Sequence, residues 1–199
     1  MADMEKTGKN LEGRGFRVHR FATGAEAADY LVQTLHGTSI GIGGSVTIDT
    51  LGVYDRICES NEVFWHWKNH APETRERAGK AETYLCSANG VSENGEIVNI
   101  DGFGNRVAGT IYGPERVFLV VGRNKIAPDL TGAIDRARNI AAPLNARRLN
   151  RHTPCAVGEP RCHDCRSPEK VCGVMTVFFM PPTSIKEFHV ILVDEDLGY

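Results

Sequence analysis

The chain has 199 residues, 41% of them hydrophobic, with 23 basic side chains against 25 acidic ones. That length supports one sizeable α/β core and is short for two, and the near-balance of charge offers no global field to recruit nucleic acid or an anionic membrane. No run approaches the roughly 18 to 20 apolar residues that insertion into a membrane requires, and the opening "MADMEKTGKNLEGRGF" lacks an apolar signal segment, so the expected location is cytoplasmic.

Strand and helix signals alternate through the first 150 residues. "FRVHRFA" (16–22) reads as a strand, and "GAEAADYLVQTLHG" (24–37) as a helix with Ala27, Tyr30, Leu31 and Leu35 on one face and Gly37 at its end. "SIGIGGS" (39–45) is a strand running into a glycine turn, with Ser45 placed to cap a following helix that carries Ile48, Leu51 and Cys58. "EVFWHW" (62–67) and "ETYLCSAN" (82–89) are further strands around a polar helix over 72–81, and Cys58 and Cys86 fall at core positions. Asn94-Gly95 marks a tight hairpin in "GVSENGEIVNIDG" (90–102). "RVFLVVGRNKI" (116–126) is a buried-type strand presenting Arg123, Asn124 and Lys125 at its carboxyl end. The helix after it runs from about Asp129 to Leu149, with Leu130, Ile134, Ala137 and Ile140 or Ala141 inward and a break or kink forced by Pro143. "GVMTVFFMP" (173–181) and "EFHVILVDEDLG" (187–198) are strands that close the sheet. The pattern predicts one α/β domain over 10–197, a mainly parallel sheet flanked by helices, with a long loop at 151–173.

Three turns carry candidate chemistry. In "GIGGSVT" (41–47) Gly43, Gly44 and Ser45 form either an anion cradle or a capped strand-to-helix turn. The run is not a dinucleotide fingerprint, because Val46 stands where its third glycine would be. In "NIDGFGNRVAG" (99–109) Gly102 and Gly104 loosen the backbone beside Asp101, Asn105 and Arg106, which supply an acid–base group, a hydrogen-bonding amide and a fork for carboxylate or phosphate. Lys125 is the third element, since open α/β sheets bind ligands beyond the carboxyl ends of their strands. These three stretches are expected to converge on one crevice for a small anionic ligand. His36, His66 and His70 are scattered, without metalloprotease spacing, and read as structural or solvated.

The sharpest signal lies in the long loop. Cys155, Cys162, Cys165 and Cys172 form C-x6-C-x2-C-x6-C within a segment rich in proline, glycine and arginine, where few apolar neighbours could bury them. In a reducing compartment such clustering argues for a metal rather than disulfides. Four thiolates suit a structural zinc or a [4Fe-4S] cluster, and the spacing matches neither a zinc ribbon nor a bacterial ferredoxin. Arg161, Arg166 and Lys170 among them would favour thiolates in either case.

Taken together, "GGSVT", "NGEIVNIDGFGNRVAG", "VVGRNKI", "ARNIAAPLNARRL" and the cysteine segment resemble the lactate utilisation (LUD) domain family, from about residue 10 to 195. The resemblance implies a fold like that of ribose-5-phosphate isomerase and the CoA transferases, and a role in oxidising lactate or a related organic acid alongside iron-sulfur proteins. It carries Gly43, Gly44 and Ser45 onto the family's first glycine turn, Asp101, Gly102, Gly104, Asn105 and Arg106 onto its second, and Lys125 onto the lysine after its later strand. The ferredoxin-type motifs of larger members are missing; the single four-cysteine loop of shorter members stands instead. Two function classes follow. One is an iron-sulfur redox component with a protein electron partner, and the other an enzyme or binding protein for a phosphorylated or carboxylate ligand with a structural zinc.

Overall fold

The structure, a computed structural model, describes residues 3–199. It opens on α1 (Met4–Gly13), a helix the hydrophobic pattern does not announce, started by the Asp3 carboxylate accepting from the Lys6 N–H at 2.9 Å. β1 (Arg17–Phe21) and α2 (Gly24–Thr34) follow. A capping box fixes the start of α2, with Thr23 Oγ1 accepting from the Glu26 N–H and the Glu26 carboxylate accepting from the Thr23 N–H. β2 (Ser39–Ile42) runs into the glycine turn, and Ser45 caps α3 (Val46–Thr50). The helical spacing from Ile48 to Cys58 resolves into two short helices, α3 and α4 (Tyr54–Cys58), because Gly52 at φ +64° breaks the run. Cys58, expected in the core, is therefore exposed at the end of α4, whereas Cys86 is fully buried.

β3 (Glu62–Trp65), α5 (Thr74–Lys80) and β4 (Thr83–Ser87) lead to the hairpin of β5 (Gly90–Ser92) and β6 (Ile97–Asp101), turned at Gly95 with φ +92°. The stretch after it, read from sequence as a surface turn, continues into α6 (Asn105–Ile111). β7 (Arg116–Gly122) ends in a single 3-10 turn, Arg123–Lys125, and a two-residue β8 (Ile126–Ala127). α7 (Leu130–Arg136) and α8 (Ala142–Arg148) are joined by a π-helical turn, Ala137–Ala141. Pro143 has no N–H to donate, and the wide turn before it absorbs the misfit without ending the helix. Ala133, Ala137 and Ala141 face inward, and Ile140 is exposed. A short α9 (Pro154–Val157) lies in the cysteine loop, followed by β9 (Val174–Phe178) and β10 (Glu187–Val193).

Six strands form a parallel sheet in the order β1-β10-β7-β4-β2-β3. The other four form a smaller sheet, β8-β5-β6-β9, in which β6 pairs antiparallel with both neighbours. The last two strands thus part company: β10 enters the interior of the large sheet and β9 an edge of the small one. Burial explains the difference. All but the first residue of β10 are buried, as a strand covered on both faces requires, while most of β9 is half-buried or exposed.

Side chains alternate between two cores. Leu85, Phe118, Val120, Ile191 and Val193 pack with α2, α3 and α4 on one face; Tyr84, Cys86, Val117, Leu119, Val190 and Leu192 pack on the other with Leu11, Val91 and Ile97. The small sheet packs Val98 and Ile100 against Ala133 and Ala137. Gly90 permits that approach, since a Cβ there would stand 2.5 Å from the Ala133 carbonyl oxygen. Among the described residues no helix is long and apolar enough to cross a membrane.

Candidate functional site

Because the large sheet is parallel, the carboxyl ends of β2, β3, β4 and β7 emerge along one edge. A cleft of about 730 Å³ opens there, closed on the far side by the end of β6, the start of α6, α8 and the cysteine loop. The three stretches expected to converge do meet: Gly44, Ser45, Thr47, Asp101, Gly102, Asn105, Arg106 and Lys125 all line it. Gly43 and Gly104 support the lining from behind. A Cβ on Gly43 would sit 3.0 Å from both Tyr84 Oη and Arg106 Cγ, and Gly104 precedes α6 at φ +95°. Arg123 turns away to Asp194 and Asp196, and the Asn124 side chain bonds to the backbone of Leu197 and Gly198.

Lys125 forms the floor, with only 3% of its surface exposed. Its ammonium donates to Thr47 Oγ1 and Ser87 Oγ, both at 2.7 Å, and to the Ala88 carbonyl at 3.2 Å. The two hydroxyls spend their own protons on the carbonyls of Leu197 and Val120, so each offers the lysine a lone pair. Three acceptors call for three N–H donors, which the ammonium alone possesses. Burial, and then Arg136 and Arg106, pull its pKa well below the ordinary lysine value. Its three hydrogen bonds to oxygen acceptors oppose that pull.

Arg106 is bound on every side by protein. Nη1 donates to the Ser87 carbonyl (3.0 Å) and Asn99 Oδ1 (2.8 Å), while Nη2 donates to Asn89 Oδ1 (2.6 Å) and the Ile100 carbonyl. It ties β4, β6 and α6 together and lends the cleft its charge. Arg136 donates to the carbonyls of Asn124 and Asn89 and to the backbone oxygen of Tyr199, and burial lowers its pKa to about 10. Among the described residues no Asp or Glu side chain bonds to any of these three cations. Asp101 is nearest in role, but its carboxylate accepts from the N–H groups of Phe103, Arg106 and Val107 and thereby starts α6.

The outer wall contains residues that spacing did not single out. His66 and Trp67 follow the end of β3 and line the cleft with Arg75, Phe103, Arg148, Arg151 and Lys170. His66 Nδ1 is buried without a hydrogen-bond partner, and burial lowers the pKa of the ring. Their position just beyond a strand's carboxyl end was the available signal.

The four cysteines line one small pocket of about 50 Å³ with Thr153, Arg138, His163 and Lys170, and none is in a disulfide. Cys162 Sγ accepts from Arg138 Nη2 at 3.3 Å and from the Asp164 N–H at 3.4 Å; Thr153 Oγ1 lies 3.3 Å from Cys155 Sγ. The Cys172 pKa is raised by burial and, beyond that, by its three fellow thiols, with Lys170 opposing. Among the described residues no group of three or more His, Cys, Asp or Glu side chains is arranged to hold a metal ion. The donor chemistry, soft thiols with N–H groups aimed at sulfur, fits a thiolate-bound centre. This pocket and the cleft share the walls Ile100, Ala142, Lys170 and Val171. Gly102 is what lets them meet, since a Cβ there would stand 2.7 Å from Val171 Cα.

The crystal structure of a DUF162 family protein from Deinococcus radiodurans superposes with a TM-score of 0.55 over 96% of this chain and 95% of that one, at 14% identity, a likeness of fold. No curated protein sequence matches the chain. The model of the LUD domain matches residues 4–193, which takes in both sheets, the cleft and the cysteine loop, and the chain belongs to the LUD domain family.

Proposed function

We propose that this is a lactate-utilisation-type redox component, which holds the anion of lactate or a related organic acid over Lys125 and carries a [4Fe-4S] cluster on Cys155, Cys162, Cys165 and Cys172. The observation that carries the reading is the common wall of Ile100, Ala142, Lys170 and Val171, which sets a cationic cleft directly against a four-thiol pocket. Lys125 and Arg106 line the floor and Arg136 lies close enough to act on Lys125, with no acidic side chain bonded to any of them, so a carboxylate entering there gains their field. Thr47 and Ser87 keep the ammonium fixed, and Asp101, whose carboxylate also starts α6, is the candidate on the cleft wall for proton transfer. When bound, such a cluster would accept or release one electron at a time toward a partner protein. Arg138, the Asp164 N–H and Thr153 would hold its sulfur ligands as thiolates.

Anaerobic purification with iron, sulfide and zinc analysis tests the reading. A brown protein absorbing near 400 nm with about four irons per chain is expected. A colourless protein with one zinc per chain would reject the redox role and leave an anion-binding enzyme with a structural metal.

A further inference from the structure

A three-carbon acid leaves most of a 730 Å³ cleft unused, because pockets of about 300 to 1,000 Å³ accommodate ligands many times its size. Lys125 and Arg106 on the floor, with Arg136 near Lys125, likewise exceed the single charge of one carboxylate. The unused part is not featureless. Trp65 and Trp67 stack with ring centroids 5.6 Å apart and planes inclined by 20°, and the Arg148 guanidinium lies over the Trp67 ring, 4.5 Å from its centroid. Arg148 is held in its plane by Asn145 Oδ1, which accepts from Nε at 3.2 Å and Nη2 at 2.8 Å. The result is a column of three flat groups, fixed at its base by a fully buried tryptophan and ending in an exposed guanidinium on the cleft wall. The edge of Trp67 runs along the glycine turn, where a Cβ on Gly44 would meet Nε1 at 3.4 Å. Arg75 over Phe103, at 5.0 Å, repeats the cation-on-ring pairing across the mouth.

We propose that this column is the ring subsite for a nucleoside phosphate, its heterocycle stacking on the Arg148 guanidinium and its phosphates directed past Gly44 into the positive floor. Planar stacking on a guanidinium that keeps its edge bonds is what arginine offers and lysine does not. The nucleotide is a second ligand of the same cleft, so the inference rests on the anion-binding reading of the floor and extends it outward.

Calorimetric titration of the purified protein with ADP, adenosine and orthophosphate tests it. ADP should bind at least about 10-fold more tightly than orthophosphate, the scale of one stacked base. Arg148→Lys, which retains the charge and loses the plane, and Trp67→Ala should each remove about that factor for ADP while leaving orthophosphate unchanged. Arg148 is exposed on α8, so the lysine variant tests stacking even if Trp67→Ala fails to fold. ADP binding no tighter than orthophosphate, or ADP affinity untouched by Arg148→Lys, would overturn the ring subsite and leave the anion site standing. Absence of binding by both ADP and orthophosphate would overturn the two together.

Discussion

Replacing Lys125 by Met separates the cost of a buried charge from its use. The ammonium makes three hydrogen bonds, to Thr47, Ser87 and the Ala88 carbonyl. At about 1.5 to 3 kcal/mol for each bond to a charged group, their gross worth is roughly 5 to 9 kcal/mol. Against this stand a desolvation cost of several kcal/mol for an ion with no carboxylate partner and repulsion from Arg106 and Arg136. Thr47 and Ser87 keep their bonds to Leu197 and Val120 when the lysine is gone, and the Ala88 carbonyl, which loses the ammonium, keeps Ser87 Oγ at 3.3 Å. Methionine fills nearly the same volume with apolar atoms. Stability in urea should therefore change by no more than about 1 kcal/mol, or about 2 to 4 °C in Tm for a chain of 199 residues. Affinity for lactate or orthophosphate, read by calorimetry, should fall by about 10- to 150-fold, the scale of one floor charge acting through its field over several ångström at an effective dielectric of about 20. A variant destabilised by more than about 3 kcal/mol yet binding anions as before would refute the reasoning and make Lys125 a structural pin.

Arg106→Ala should behave in the opposite way, because it takes the guanidinium from two amide oxygens and two carbonyls at the junction of β4, β6 and α6, of which Asn89 Oδ1 keeps the Ile100 N–H. A loss of about 3 kcal/mol or more is expected in urea unfolding, and a stability within experimental error of the parent would show that the junction holds without it. Substituting Cys162 and Cys165 together by Ser should abolish metal content while circular dichroism stays nearly unchanged, since both apolar cores lie outside the loop. Persisting stoichiometric metal in that variant would count against the four-thiol centre. Burial lowers the pKa of His19, His66 and His189 below the ordinary imidazole value, so the unfolded chain binds protons that the folded chain refuses. Stability should accordingly be full above about pH 6.5 and decline as pH falls through that value toward the folded pKa values. Replacing His19 and His189 together by Gln should flatten the thermal-denaturation profile between pH 7.5 and 5.5; an unchanged slope would place its source elsewhere.

The alternation of strand and helix was legible because β4, β7 and β10 are continuous apolar runs, and their shared direction placed a ligand site at the carboxyl edge before any contact was known. Ser45 as a cap and Lys125 as a strand-end group followed from the same logic. Arg106 was recognised as important, but its spacing could not reveal that its guanidinium is spent on four protein acceptors from β4, β6 and the turn after β4. His66 was read as structural or solvated, and Trp67 and Arg148 were not singled out, because the meaning of the last two comes from contact between the end of β3 and α8, distant in sequence, which no local period encodes. The entry of β10 between β1 and β7 is equally non-local: its composition announces burial on both faces and says nothing of which neighbours supply it.

That last strand also governs how the chain can be made. β1 pairs with β10 alone in the large sheet, and His19 meets His189 across 170 positions of sequence. On the ribosome, β1 emerges about 170 residues before its partner, so β1 over that span, and the flank of β7 from its own emergence until β10 follows, present unpaired backbone. Such high contact order slows the final closure and leaves a window in which two nascent chains can exchange or aggregate through those edges. Arg17 and Arg20 on β1 place charge on the waiting strand, a feature that hinders edge-to-edge pairing until β10 arrives.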